Sequence, residues 1–265
     1  NLEVWVTNVG YNLTENRNIV AFQDLGETDP YNQHILPATT NPYPNNGSNS
    51  LLYEIDTAQI RDIKTVSEYL TQQKGYVPGI DFEKVENARL LNKTEYSFNS
   101  QLGFISLNTT LNPDQTLAVA FDYQIIGSND TATYSVGELA NTGVKSNRCL
   151  VLKLLRSTSV NTSLPMWKLM MKNVYNLNSF NINREDFILN ILYSGNSNAV
   201  PTGYFTDGPE NIKGIPLIKL FGFDRLDPQQ NPPGDGIFDF LDGATIRGGT
   251  INSSNGRIFF PVVEP

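Results

Sequence analysis

Two short stretches of this chain share one signature: an apolar residue, Asn-Ser, two variable positions, then Gly-x-Ile. It reads Phe98-Asn99-Ser100-Gln101-Leu102-Gly103-Phe104-Ile105 and again Ile251-Asn252-Ser253-Ser254-Asn255-Gly256-Arg257-Ile258. Asn, Ser and Gly are turn formers, and Gly reaches positive φ without a Cβ penalty. Set between β-favouring apolar flanks, they specify a strand, a tight turn and a returning strand. Each copy predicts a β-hairpin. A repeated hairpin is the mark of a modular scaffold and not of a single catalytic centre.

Period-two alternation extends the β reading to Leu2-Val4-Val6, Ile19–Phe22 and Leu117–Tyr123, and short apolar runs predict further strands at Cys149–Leu155, Phe187–Tyr193 and Leu217–Phe221. Two segments change to helical spacing. Ile60, Ile63, Val66, Tyr69 and Leu70 predict an amphipathic helix over 57–73, ended by Gly75 and Pro78. Leu164, Trp167, Met170, Met171, Val174 and Leu177 predict a second over 163–177, with Ser163 as N-cap and Pro165 in the first turn. The same spacing assigns Trp167, Met170 and Met171 to a core rather than to an adaptable binding surface. The expected class is α+β, β-rich, with two similarly built units of mostly antiparallel strands, each carrying one helix: residues 1–135 and 136–265, divided near Gly127–Asn147.

Composition narrows the function. A net charge of −8 and a pI near 4.7 exclude nucleic acid as the expected partner, because affinity for phosphates depends on Lys and Arg. No apolar run reaches the roughly 18 residues a spanning helix needs. The chain begins at Asn1, within an apparent strand and without Met, which is the expectation for a segment of a longer protein. Cys149 is the one cysteine and lies in an apolar run, so it is expected as a small buried hydrophobe.

A catalytic screen finds no Gly-x-Ser-x-Gly elbow, no His-Glu-x-x-His, no phosphate loop and no Cys-x-x-Cys. His34, the only histidine, falls in a Pro-rich loop. No catalytic or cofactor-binding residue is therefore assigned, although any two of the 27 acids could converge as a glycosidase pair. One constellation carries site chemistry. In Asp224–Asp239, the residues Asp227, Asn231, Asp235 and Asp239 offer oxygen ligands around Gly234 and Gly236. Calcium takes about six to eight oxygens from a bending backbone, so these four form a candidate Ca²⁺ loop. Pro232, Pro233 and Gly234 interrupt the alternate spacing of an EF-hand, and the competing reading is a turn whose Asp and Asn side chains cap local amides.

Several stretches, taken in order, resemble the SprA (Sov) family of the type IX secretion system of Bacteroidota. They are Val4–Asn8, Arg17–Ala21, Asp24–Glu27, Tyr96–Leu107, Leu117–Ala120, Tyr134–Glu138, Leu164–Tyr175, Asp235–Phe240 and Asn255–Pro265. The resemblance implies part of a very large outer-membrane translocon for protein secretion and gliding motility, non-enzymatic, with a structural or gating role. Its implied partners are the rest of the translocon barrel, secretion-system lipoproteins and secreted cargo, and its implied location is the periplasmic or cell-surface side of the outer membrane. One departure is plain: the chain lacks lipid-facing strands of about ten residues with aromatic girdles. The alternative from another class is a cell-surface adhesin or carbohydrate-binding module, which suits an acidic, Asn-rich, aromatic-containing β fold, and after it a glycoside hydrolase.

Overall fold

The computed structural model describes residues 1–10, 16–38, 43–100, 103–125, 132–195, 200–243 and 248–261. Gln101 and Leu102 of the first signature, Gly127 at the expected boundary, and Val262–Pro265 of the closing stretch lie outside the described residues. The chain separates into two compact units, 1–170 and 171–265.

The first unit is built on β1 (Leu2–Val6), β2 (Asn16–Phe22), β3 (Phe82–Leu90), β6 (Leu117–Tyr123) and β8 (Leu150–Arg156), which close on one another in the order β1-β3-β2-β8-β6. Closure is made by β1 against β6, with Leu2 opposite Phe121 and Val6 opposite Leu117. All of these pairings are antiparallel except β2 with β8, where Ile19 lies beside Leu150. At Asn18 the β2–β3 register slips by a bulge, and the Asn18 side chain accepts a hydrogen bond from the Asn87 amide at 3.0 Å. Bulges of this kind tighten the twist that a small barrel requires. Between β3 and β6 a hairpin forms from β4 (Tyr96–Asn99) and β5 (Phe104–Leu107), and β7 (Tyr134–Val136) extends the sheet beyond β6.

Alternation of side chains explains why this barrel is solid. One face of every strand feeds a single cluster containing Trp5, Ile19, Ala21, Ala88, Ala118, Ala120, Leu150, Leu152 and Leu154, all buried. Only the barrel interior is common to all five strands, so this cluster fills it. Five strands enclose little room, since barrel diameter grows with strand number, and the four alanines leave space for Trp5 and the leucines. The outward faces are covered as well: Val20, Phe22 and Val151 by residues of the 51–76 region, and Val4, Val6 and Val119 by Tyr96 and the β4–β5 hairpin.

Several expectations are corrected here. The helix over 57–73 is a series of short turns: α1 (Leu51–Glu54) precedes α2 (Thr57–Ile60), and α3 (Val66–Glu68) runs into a π-helical turn at Tyr69–Gln73. Its stripe is still buried, since Ile60, Val66, Tyr69 and Leu70 pack onto the barrel wall. The helix over 163–177 shortens to α4 (Pro165–Leu169), with Leu164 and not Ser163 at its N-cap. Met170 is already extended, and β9 (Val174–Asn176) follows as a strand. Leu164 and Met166 reach the barrel cluster, whereas Met170 and Met171 are 51% and 41% exposed, so the expected Met core does not form. Strand β8, assigned by sequence to the second half, completes the first unit's barrel, and the division into compact units comes at Met170/Met171.

The second unit does not repeat the first. It holds a three-stranded antiparallel sheet, β10 (Ile251–Asn252), β11 (Arg257–Phe259) and β9, in the order β10-β11-β9. Its core is aromatic: Phe223, Phe238 and Phe260 pack with Ile251 and Ile258, and the Phe223 and Phe260 rings stand edge to face with centroids 4.6 Å apart. The run expected as a strand at Leu217–Phe221 is helix α5 (Leu217–Leu220), started by Pro216, whose fixed φ suits a helix entry. Among the described residues the run at Phe187–Tyr193 joins no sheet beyond a bridge of Tyr193 with Thr202. Both signature hairpins form, with Gly103 at φ 69° and Gly256 at φ 63°.

Candidate functional site

The acidic loop lies in the second unit, after α5, and its entry is fixed by the core. Phe223 is fully buried, and its carbonyl accepts from the Asp239 amide at 2.7 Å, which ties the two ends of the loop together. Each expected ligand then serves the backbone. Asp227 Oδ1 accepts from the amides of Gln229 and Asn231, both at 2.9 Å, and the Asp227 amide donates to the Asn231 carbonyl at 2.8 Å. Asn231 Nδ2 donates to the Gln229 carbonyl. Asp235 Oδ1 accepts from the Ile237 amide at 2.9 Å, and the Asp239 carboxylate accepts from the amides of Arg225 and Leu226. The bonds accepted by Asp227 and Asp235 are Asx-type turns, in which a short side chain replaces a backbone acceptor, whereas those accepted by Asp239 tie the end of the loop to its start.

Asp227 and Asn231 thus form one turn, while Asp239 feels the charges of Asp235 and of a residue that ligand spacing did not single out. Asp224 is 4% exposed; its Oδ2 accepts from the Gly236 amide at 3.0 Å, and its Oδ1 is buried without a hydrogen-bond partner among the described residues. Its position directly after the buried Phe223 is the signal that could have found it. Gly234 covers that oxygen so closely that a Cβ there would stand 1.9 Å from it. Burial, with the neighbouring charges of Asp224 and Asp235, raises the Asp239 carboxyl above the ordinary carboxylate range, against the two amides that favour its ionised form. Among the described residues no group of three or more His, Cys, Asp or Glu is arranged to hold a metal ion.

A second polar cluster sits on the outer face of β2 and β8. Lys153, buried, donates to the Gln23 carbonyl and to the Glu27 carboxylate. Desolvation lowers its ammonium below the usual lysine value, only partly offset by Glu27 and Asp24. Asp24 accepts from the amides of Tyr31 and Asn32 at 2.9 Å, and Asn49 Nδ2 bridges the carbonyls of Asp24 and Glu27. These contacts hold the chain around Asp24, Glu27, Asn32 and Asn49 against the barrel, with the side-chain amide of Gln23 buried beside them. Arg61 is likewise committed, forked onto Glu138 and bonded to the Cys149 carbonyl beside a shallow surface groove lined by Gln59, Lys64, Thr65 and Arg148. Cys149 is buried, with its thiol pushed up to about 11 by desolvation, which keeps it protonated and weakly nucleophilic. His34 is exposed in its loop.

No family model matches this chain, and no curated protein matches it.

Proposed function

We propose that this chain is a structural and gating segment of a very large outer-membrane translocon for protein secretion, of the type IX kind that also serves gliding motility, and that it makes and breaks no covalent bonds. The observation that carries this reading is the ordered set of stretches from Val4–Asn8 through Leu164–Tyr175 to Asn255–Pro265 that resemble the SprA family. Two structural features support it. The barrel is filled by Trp5, the leucines and the alanines, as a wall or plug would be and a conduit would not. The polar clusters spend their charged groups on loop backbone and on one another. The rest of the translocon barrel, lipoproteins of the secretion system and cargo are the partners in this reading, on the periplasmic or cell-surface side of the outer membrane.

The test is made in the organism that encodes the chain. The full-length gene product should fractionate with the outer membrane, and its deletion should leave secreted cargo inside the envelope. A water-soluble product whose deletion leaves secretion intact would overturn the reading.

A further inference from the structure

The side chains of Phe187–Tyr193 alternate as those of a strand do, yet among the described residues its one ladder contact is the bridge of Tyr193 with Thr202. Phe187, Leu189 and Ile191 pack into the aromatic core of the second unit, while Ile188 is 83% and Leu192 60% exposed and Asn190 is exposed between them. That is the period-two alternation of a strand. Among the described residues, no hydrogen bond reaches the backbone of Ile188, Leu189, Asn190, Ile191 or Leu192. The run ends in a bridge, where Tyr193 exchanges both of its backbone bonds with Thr202, at 2.8 and 3.0 Å. In an extended chain successive residues aim their backbone groups at opposite edges. The Thr202 bridge therefore lies on the edge of residues 189 and 191, and the groups of Ile188, Asn190 and Leu192 face the open one.

An open strand edge is a template for another strand, and what it accepts is set by hydrogen-bonding chemistry. Here the sequence also names the occupant. Phe-Ile-Leu-Asn-Ile-Leu-Tyr reads the same from either end in chemical type: aromatic, two aliphatics, Asn, two aliphatics, aromatic. Antiparallel pairing about a two-fold at Asn190 sets Ile188 opposite Leu192, Leu189 opposite Ile191, Phe187 opposite Tyr193, and Asn190 opposite itself. Asp186 and Glu185 then fall opposite Ser194 and Gly195, so no like charges meet. We infer that the Ile188–Leu192 edge pairs antiparallel with the same edge of a second copy of this chain, about a two-fold axis at Asn190. The interface is isologous, and the three paired positions on the open edge exchange about six backbone hydrogen bonds. One strand pair buries less than the roughly 1,200 Å² of a stable interface, so the dimer is reversible.

Sedimentation velocity of the 265-residue chain over micromolar to millimolar concentrations tests this directly. The dimer fraction should rise with concentration, and Asn190→Pro, which removes an amide that bonds to no described residue of the monomer, should weaken dimerisation about tenfold or more with an unchanged melting curve. The doubly charged edge variant Ile188→Lys with Leu192→Lys should do the same. Register is read by oxidation: Asn190→Cys should cross-link to itself, since paired Cα atoms about 5.5 Å apart suit a disulfide, whereas Ile188→Cys should cross-link to Leu192→Cys in a mixture and not to itself. A chain that stays monomeric throughout, a dimer untouched by Asn190→Pro, or self-linking at position 188 equal to that at 190 would overturn the inference.

Discussion

Replacing Trp5 by Ala probes whether the barrel is as full as its side chains imply. Trp5 is 1% exposed and shares the interior with Ala118, Ala120 and the β8 leucines; its indole Nε1 donates to Glu3 at 3.2 Å. Truncating an indole in a close-packed site removes its transfer free energy and leaves a cavity, a combined loss of about 3–5 kcal/mol. For a unit of this size each kcal/mol moves the midpoint by about 2–4 °C, so the first unit's transition should fall by about 6–20 °C. The opposite change, Ala118→Leu, forces three extra carbons into the same space and should cost about 1–3 kcal/mol or more. Val9→Ala, at a 61% exposed position, should stay within about 0.5 kcal/mol. Calorimetry suits the assay because the two compact units can melt separately, and the first-unit transition is the one to follow. A hollow barrel would respond otherwise, with Trp5→Ala nearly silent and Ala118→Leu neutral or stabilising. That pattern would refute the packing argument.

The two signature glycines should respond unequally to alanine: at Gly103 a Cβ meets nothing within 4 Å and the cost is the positive φ, about 1 kcal/mol, whereas at Gly256 it would stand 1.9 Å from the Ser179 carbonyl oxygen, so Gly256→Ala should melt the second unit at a distinctly lower temperature. At Asp239 the folded carboxyl titrates above its unfolded value, so the folded state binds the extra proton and the Asp239 contribution to stability falls as pH rises from about 3.8 through the folded midpoint. Asp239→Asn should therefore gain on the native chain across that window in acid-to-neutral melting series, while Asp239→Ala should lose about 1–3 kcal/mol by orphaning the amides of Arg225 and Leu226. Lys153→Met should cost about 1–3 kcal/mol in urea titration, because it orphans the Gln23 carbonyl and takes the partner of Glu27, a loss only partly offset by the desolvation that goes with the buried ammonium.

What the sequence made legible was local. The hairpins at 98–105 and 251–258 follow from turn chemistry within eight residues, and β1, β2, β6 and β8 follow from apolar patterns that tertiary contacts reinforce. Barrel closure was not legible, because it depends on β1 meeting β6 across more than a hundred residues of chain and on a parallel β2–β8 pair that no local signal encodes. The helical stripe at 163–177 failed for a different reason: Leu164 and Met166 are held by the barrel, and once Met170 turned extended Val174 went to strand β9 and Leu177 to the aromatic core of the second unit, leaving Met170 and Met171 exposed. At Leu217–Phe221 a short apolar run fitted strand or buried helix equally, and Pro216 decided it. In the acidic loop the turn chemistry of Asp227, Asn231 and Asp235 was readable from Asx spacing, whereas the convergence of Asp224 on Gly234 and Gly236 depends on how the loop folds back on Phe223.

On the proposed translocon reading, the most direct measurement compares cargo release from cells whose only copy of the full-length gene product carries changes in this segment. If the segment works through its architecture, release should fall in step with melting temperature in Trp5→Ala and Ala118→Leu and should be unaffected by His34→Gln, Asp227→Asn or Asp235→Asn. Loss of release in one of those three, with its melting curve intact, would contradict the account.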